Sequence, residues 1–371
     1  MQTGFIYSEE LTKNILREDH VLRPMRLRLV YELLESYKVF SNKSAQILEP
    51  QIATPFDLMT FHSRDYIEAV AAFSKGEDLE RQHRYGFSDW GDNPISEGMY
   101  EAAALAVGAS LTGVDSLIDG SIDLAFNAGG GYHHAASDYA SGFCIFNDAV
   151  IAIQKLLQKG VEKIAYIDID AHHGDGVQNA FYQTDKVMTI SIHQSGDTLF
   201  PGTGSTDEIG EEAGIGYSIN LPMPPSTNDD LYFDAFMSIV PQILEIYNPE
   251  ILVAQLGIDT HFNDPLSQIS LTSHGHNRIV KEILNLAPGK ILALGGGGYD
   301  LSAVARSWAL DYAAMAGIEL ANDVPEKYAL EYGIKTLKDT EVNFPNDTSI
   351  KAEVQQNIDK IRENISKYIS S

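Results

Sequence analysis

Short runs rich in Ile, Val and Leu recur along the chain at Asp123–Ala128, Ile164–Ile169, Val187–Ile192, Ile251–Leu256 and Ile291–Leu294. They lack the apolar/polar alternation of a half-exposed strand, as expected for strands of a parallel sheet covered on both faces. Stretches with apolar residues at helical spacing lie between them. Pro24–Lys38 has its proline in the first turn, Glu97–Leu111 is alanine-rich, and Asp148–Lys159 ends at Gly160. Asp234–Tyr247 and Ala303–Ala316, the latter stopping at Gly317, complete the set. This alternation predicts an α/β fold with helices on both sides of a parallel sheet. Pro201–Gly216 reads as a long Gly-rich loop, a kind that is often functional in a compact domain. Past residue 320 the texture turns polar: Asn343–Asp347 breaks the chain and a helix is predicted over Ile350–Ile369. The expected organisation is one domain over 1–320 with an extension, 321–371, packed upon it.

Composition removes several classes of function. With 26 Lys+Arg against 52 Asp+Glu the net charge is −26 over 371 residues, which argues against direct nucleic-acid binding and favours a basic partner or a small molecule. The single cysteine, Cys144, excludes a disulfide framework and cysteine zinc fingers. Flanked by Phe143 and Ile145, it reads as a small buried residue. The N-terminus has no basic stretch followed by a signal-type apolar core. No apolar run is read as approaching the ~20 residues of a membrane helix, so no membrane association is expected and the expected location is cytoplasmic. Oligomeric state is open.

The decisive pattern lies at the end of each apolar run. Asp123–Ala128 leads into Gly129-Gly130-Gly131-Tyr132-His133-His134, and Ile164–Ile169 into Asp170-Ala171-His172-His173-Gly174-Asp175. Val187–Ile192 leads into His193, Ile251–Leu256 into Gly257-Ile258-Asp259, and Ile291–Leu294 into Gly295-Gly296-Gly297-Gly298-Tyr299. Ligands of open α/β sheets bind beyond the carboxyl ends of the strands, and five of the eleven histidines fall there. Asp168, Asp170 and His172 alternate with period two, so an extended strand would put them on one face. Asp170 and His172 could then share a cation with Asp259, leaving a position open for water and substrate. One imidazole with two carboxylates is not among the commonest zinc sets, and a carboxylate-rich site also suits harder ions, Fe(II) or Mn(II). Adjacent histidines cannot both ligate one ion comfortably, so His133 and His134 read as proton-handling groups. Asp168 and Asp175 are candidates to hold their second ring nitrogens. The glycine run before Tyr299 fits neither a P-loop nor a dinucleotide fingerprint, and reads as a turn bringing backbone and phenol to the cation.

These motifs resemble those of the histone deacetylase family, in particular class I enzymes and the microbial acetoin-utilisation deacetylase-like proteins. The resemblance also rests on Gly142-Phe143-Cys144-Ile145-Phe146-Asn147-Asp148, Ser191-Ile192-His193, Phe200-Pro201-Gly202-Thr203-Gly204, Gln255–Thr260 and Asp264-Pro265-Leu266, and spans roughly residues 5–315. It implies a three-layer arginase/deacetylase-type fold around a parallel sheet of about eight strands. It implies hydrolysis of acyl-lysine in proteins or peptides, with zinc held by Asp170, His172 and Asp259. His133–Asp168 and His134–Asp175 would be the His–Asp pairs, and Tyr299 the hydroxyl that polarises the carbonyl. Phe143 and Phe200 would wall an acyl-lysine channel with Gly142 and Leu266 near it. Asp92 would hold the substrate backbone at the rim, and Arg26 would line the internal cavity that receives acetate. Structural potassium would fall at Asp168, Asp170, His172, Ser191 and Ile192, and again at Phe181, Thr184, Val187 and Tyr217. An acetylpolyamine amidohydrolase shares most of this site. An arginase-like ureohydrolase would need a ligand aspartate where Gly174 stands, and a non-catalytic acyl-lysine reader would be expected to have lost one of the site residues, all of which are present.

Overall fold

The computed structural model describes residues 1–14, 16–340, 342 and 348–368. Eight strands, β1 (Thr3–Ile6), β2 (Ala45–Leu48), β3 (Leu124–Asn127), β4 (Ile164–Asp168), β5 (Val187–Gln194), β6 (Ser218–Met223), β7 (Ile251–Gln255) and β8 (Ile291–Leu294), form one sheet in the order β2-β1-β3-β8-β7-β4-β5-β6. Every pairing is parallel. The helices are α1 (Met25–Ser36), α2 (Pro55–Leu58), α3 (Arg64–Phe73), α4 (Met99–Ile118), α5 (Asp148–Gln158), α6 (Asp175–Phe181), α7 (Asp229–Tyr247), α8 (Ser273–Leu286), α9 (Leu301–Met315), α10 (Glu326–Tyr332) and α11 (Thr348–Tyr368).

Alternate strand residues feed two cores, which is why the strands read as continuous apolar runs. On one face Leu124, Phe126, Ala165, Ile167, Ile291 and Ala293 pack with α1, α7, α8 and α9. On the other, Ala125, Ile164, Tyr166, Leu292 and Leu294 pack with α4, α5 and α6. Side-chain caps set several helix starts: Asn147 accepts from the Val150 N–H, Thr272 from Gly275 and Asp300 from Ala303.

Two expectations change. The alanine-rich helix runs on to Ile118 through Thr112-Gly113, where a Cβ on Gly113 would meet Leu292 Cδ1 at 2.8 Å, so the absent side chain lets α4 lie close against the sheet. This α4 is long and apolar enough, by length and composition, to cross a membrane, where the sequence reading finds no such run. Most of its apolar length faces the interior.

The predicted break at Asn343–Asp347, and the Ile369 end of the predicted last helix, lie outside the described residues. Val354, Ile358 and Ile361 of α11 pack into the core beside α7 and β6, and Asn357 Nδ2 donates to the Pro222 carbonyl at 2.9 Å, covering the edge strand β6. Ahead of it, the partly buried Asp339 carboxylate accepts from the Ser273 N–H (2.7 Å), the Ser273 hydroxyl (2.8 Å), Arg306 Nη1 (2.6 Å) and His261 Nε2 (3.1 Å).

Candidate active site

Four neighbouring strands, β3, β8, β7 and β4, supply the whole constellation from their carboxyl ends. The chain does not stay extended past β4, which stops at Asp168. Instead Asp168 Oδ1 accepts from the Asp170 N–H (3.1 Å) and Asp170 Oδ1 from the His172 N–H (3.0 Å), two successive Asx-type turns. These turns correct the shared-face expectation. Asp168 is turned to His133, while Asp170 and His172 converge with Asp259 from the end of β7.

The donor atoms of Asp170, His172 and Asp259 lie within 4.8 Å of one another, and all three residues are buried. His172 Nδ1 sits 2.9 Å from Asp259 Oδ2 and 3.2 Å from Asp170 Oδ1. Burial and the neighbouring Asp170 charge push the Asp259 carboxyl up, against the pull of His172. Burial works against a charged His172, yet its two carboxylate partners hold its pKa up at about 10. Two acids crowded onto one ring nitrogen make a pocket that selects positive charge, and a divalent cation fits this donor set.

Outer contacts fix the carboxylates. Asp170 Oδ2 accepts from Gln255 Nε2 (2.7 Å) and the Gly297 N–H (2.8 Å), and Asp259 Oδ1 from the Ala171 N–H (2.8 Å). A Cβ on Gly297 would stand 2.0 Å from Asp259 Oδ2 and 2.9 Å from Asp170 Oδ2, so only glycine fits. Gly297→Ala is expected to weaken divalent-cation affinity ~10–100-fold, the range for disturbing the supports of a metal ligand. Calorimetric titration of the metal-free protein checks this, and wild-type affinity would mean that the carboxylates are held some other way.

Above the cluster stand the two histidines. His133 Nδ1 lies 2.8 Å from Asp168 Oδ2, which also accepts from the Tyr166 hydroxyl (2.7 Å), and His134 Nδ1 lies 2.7 Å from Asp175 Oδ1. Their Nε2 atoms are 3.0 Å apart. Burial disfavours charge on both, but Asp168 and Asp170 lift His133 to about 9, while the His133 charge helps burial take His134 down to about 4. These opposite shifts make His133 the more readily charged of the two rings and leave His134 the neutral one. For Tyr299, burial and the charges of Asp259 and Asp170 raise the pKa well above the usual phenol value, so the hydroxyl stays protonated. The Tyr299 N–H donates to Asp264 Oδ2 (2.9 Å) and the Leu266 N–H to Asp264 Oδ1 (2.9 Å).

His133, His134, Gly142, Phe143, Asp170, His172 and Tyr299 line a cleft of about 20 Å³, room for one water. Phe143 meets Tyr299 edge-on at 5.7 Å, with its own backbone in the left-handed region (φ 67°). Phe200, 44% exposed, meets His134 edge-on at 5.0 Å. Arg26 is buried, donates from Nη1 to the Gly298 carbonyl (3.0 Å), and lines both this cleft and an adjoining cavity of about 70 Å³ formed mainly by apolar residues. Cys144 is buried as expected. Three expected contacts fall outside the cleft wall: Phe200 stands beside it against His134, Leu266 lies on the Asp264 loop, and Asp92 is exposed on the segment facing His20. Of the positions implied for potassium, Asp168, Asp170, His172, Ser191 and Ile192 cluster at the carboxyl ends of β4 and β5, and Phe181, Thr184, Val187 and Tyr217 near the starts of β5 and β6.

The sequence alone assigns no task to Gln255 or Asp264. A glutamine closing an otherwise apolar strand is the available signal for the first. The partner of Asp264, the Tyr299 N–H, is 35 positions away and gives no local signal.

A histone deacetylase domain matches residues 20–315. The chain belongs to the histone deacetylase family. It is 37% identical over 356 residues to the acetoin utilization protein AcuC of Bacillus subtilis, covering 94% of this chain and 90% of that protein. It is 34% identical over 347 residues to histone deacetylase 8 of Xenopus tropicalis, covering 93% of each. Among solved structures, an HDAC homolog complexed with SAHA superposes with a TM-score of 0.87 at 30% identity, covering 96% of this chain and all of that one. An HDAC homolog from Aquifex aeolicus gives 0.86, also at 30% identity. The eight-stranded parallel sheet with flanking helices is thus the arginase/deacetylase-type fold of this histone deacetylase family member, and the activity that goes with the family is deacetylation by hydrolysis.

Proposed function

We propose that this family member hydrolyses the side-chain amide of acyl-lysine in cytoplasmic peptides or proteins, using zinc held by Asp170, His172 and Asp259, with Fe(II) as the alternative ion. The observation that carries the reading is a buried cation-selecting cluster faced by a protonated phenol and two His–Asp pairs at the foot of a cleft flanked by aromatic rings. A bound divalent cation would lower the pKa of water and polarise the amide carbonyl. His134 Nε2, neutral and steadied by Asp175, takes the proton of the attacking water and later passes it to the leaving lysine nitrogen. His133, charged beside Asp168, stabilises negative charge gathering on the scissile carbon's oxygens, and Tyr299 donates its hydroxyl to the same oxyanion.

Phe143 and Phe200 would flank the uncharged methylene stem of an acylated lysine and keep bulk water from the reacting bond. Arg26, lining both the cleft and the adjoining cavity, would draw the carboxylate product inward, and Asp92 and Leu266 would act near the rim. The two potassium groups belong to the same proposal as supports of the strand ends. The relative solved with SAHA supports a pocket able to take such a ligand. The test is a screen of chelator-stripped protein refilled with Zn²⁺, Fe²⁺ or Mn²⁺, assayed side by side on acetyl-lysine peptides, longer acyl-lysines and acetyl-spermidine. The expected result is metal-restored turnover with peptide favoured at least ~10-fold in kcat/KM, a preference worth about 1.4 kcal/mol. Turnover confined to acetyl-spermidine, or indifferent to metal, overturns the reading.

A further inference from the structure

The chain has two tryptophans, with opposite placements. Trp308 is fully buried, whereas Trp90 is 86% exposed, an unusual cost for the largest apolar side chain unless something covers it in use. Trp90 sits on the segment Asp89-Trp90-Gly91-Asp92, which is strapped to a second segment, Arg17–His20. Arg17 Nη1 donates to the Asp89 carbonyl at 3.0 Å, and its guanidinium carbon lies 5.8 Å from the Trp90 ring centre. His20 Nδ1 accepts from the Leu22 N–H (3.1 Å), which leaves the proton on Nε2, and Nε2 donates to the Asp92 carbonyl (3.2 Å). The same imidazole meets Phe143 edge-on at 4.7 Å, and Phe143 in turn meets Tyr299. An unbroken line of contacts therefore runs from the phenol at the cleft floor, through Phe143 and His20, to the strap that carries Trp90.

The charge of the strap points to its occupant. Glu18, Asp19, Asp89 and Asp92 are all exposed, and the one cation among these eight positions, Arg17, is already held by the Asp19 carboxylate. An exposed indole ringed by surplus acids attracts cations by its π face and by long-range field together. We propose that Trp90, with Asp89 and Asp92, forms a subsite at the cleft mouth for a cationic side chain, arginine or lysine, flanking the acyl-lysine of a peptide substrate. The proposal rests on the acyl-lysine reading and deepens it by naming the kind of neighbour the substrate peptide would carry.

The experiment compares wild type, Trp90→Ala and Trp90→Phe on three acetyl-lysine substrates. These are a capped single residue, a peptide with Gly and Ser neighbours, and the same peptide with Arg on both sides. For wild type the Arg peptide should exceed the neutral peptide in kcat/KM by ~3–10-fold, through KM and with a strong salt dependence. Trp90→Ala should bring that ratio to near one, and Trp90→Phe should keep part of it because the aromatic face remains. An equal ratio in wild type and Trp90→Ala overturns the subsite while turnover of the capped residue still upholds the deacylase reading. A binding readout stands apart from turnover: the Arg peptide should shift the tryptophan emission of the wild type and not of Trp90→Phe, whose remaining tryptophan is buried. An identical response in the two proteins would also overturn the proposal.

Discussion

Asp259→Ala is expected to bind no stoichiometric divalent cation and to lose deacylation below detection, at least ~10³-fold. The carboxylate is one of only three donors in the cluster, so its loss leaves Asp170 and His172 as a two-ligand site. It also removes the acceptor of the Ala171 N–H, so the turn between the remaining ligands loses an anchor and a buried donor goes unpaired. That second effect costs about 1–3 kcal/mol of stability. Elemental analysis of the purified variant reads the first effect and thermal unfolding the second. Full metal occupancy in a folded Asp259→Ala protein would remove this residue from the cation site. Asp259→Asn separates the two, since it keeps an oxygen for the Ala171 N–H while halving the negative charge of the cluster.

Tyr299→Phe is expected to lower kcat by ~10²–10³ with little change in KM or metal content, the loss seen when one preorganised oxyanion donor is deleted. The phenyl ring retains its edge-on contact with Phe143, and the backbone N–H retains Asp264, so the cleft keeps its shape. Only the protonated hydroxyl disappears. Single-turnover kinetics on an acetyl-lysine peptide isolates the chemical step. A rate within threefold of wild type would mean that the cation and His133 carry the oxyanion alone.

Much of the fold and site is legible in the chain itself, for reasons that differ from residue to residue. Five of the six inner strands advertise themselves as continuous apolar runs buried on both faces, and Asp170, His172 and Asp259 stand where apolar runs stop. The strands without a clear signature are short, polar or peripheral. β1 contains Gly4, β2 is an edge strand with exposed Gln46 and Ile47, and β6 carries Ser218, Asn220 and Pro222. Helix α8, with His274, His276 and Asn277 near its start, lacks an obvious apolar face until Ile279. The site is legible as a set of residues but not as a division of labour. That His133 rather than His134 is the more readily charged ring depends on Asp168 at 2.8 Å and Asp170 at 3.9 Å from its two nitrogens, relations between different strand ends that no spacing encodes. The Asx-type turns after β4 likewise produce the expected ligand pair by a route that strict alternation does not describe.

The Asp339 carboxylate bears on how this enzyme can be shortened. It clasps the first turn of α8, the guanidinium that rises from α9, and the imidazole two residues beyond Asp259. Ending the chain at residue 320 would strip Arg306 of its counter-ion inside the protein and leave three donors competing for whatever solvent could reach them. The smallest self-sufficient version of the molecule therefore extends at least through residue 339.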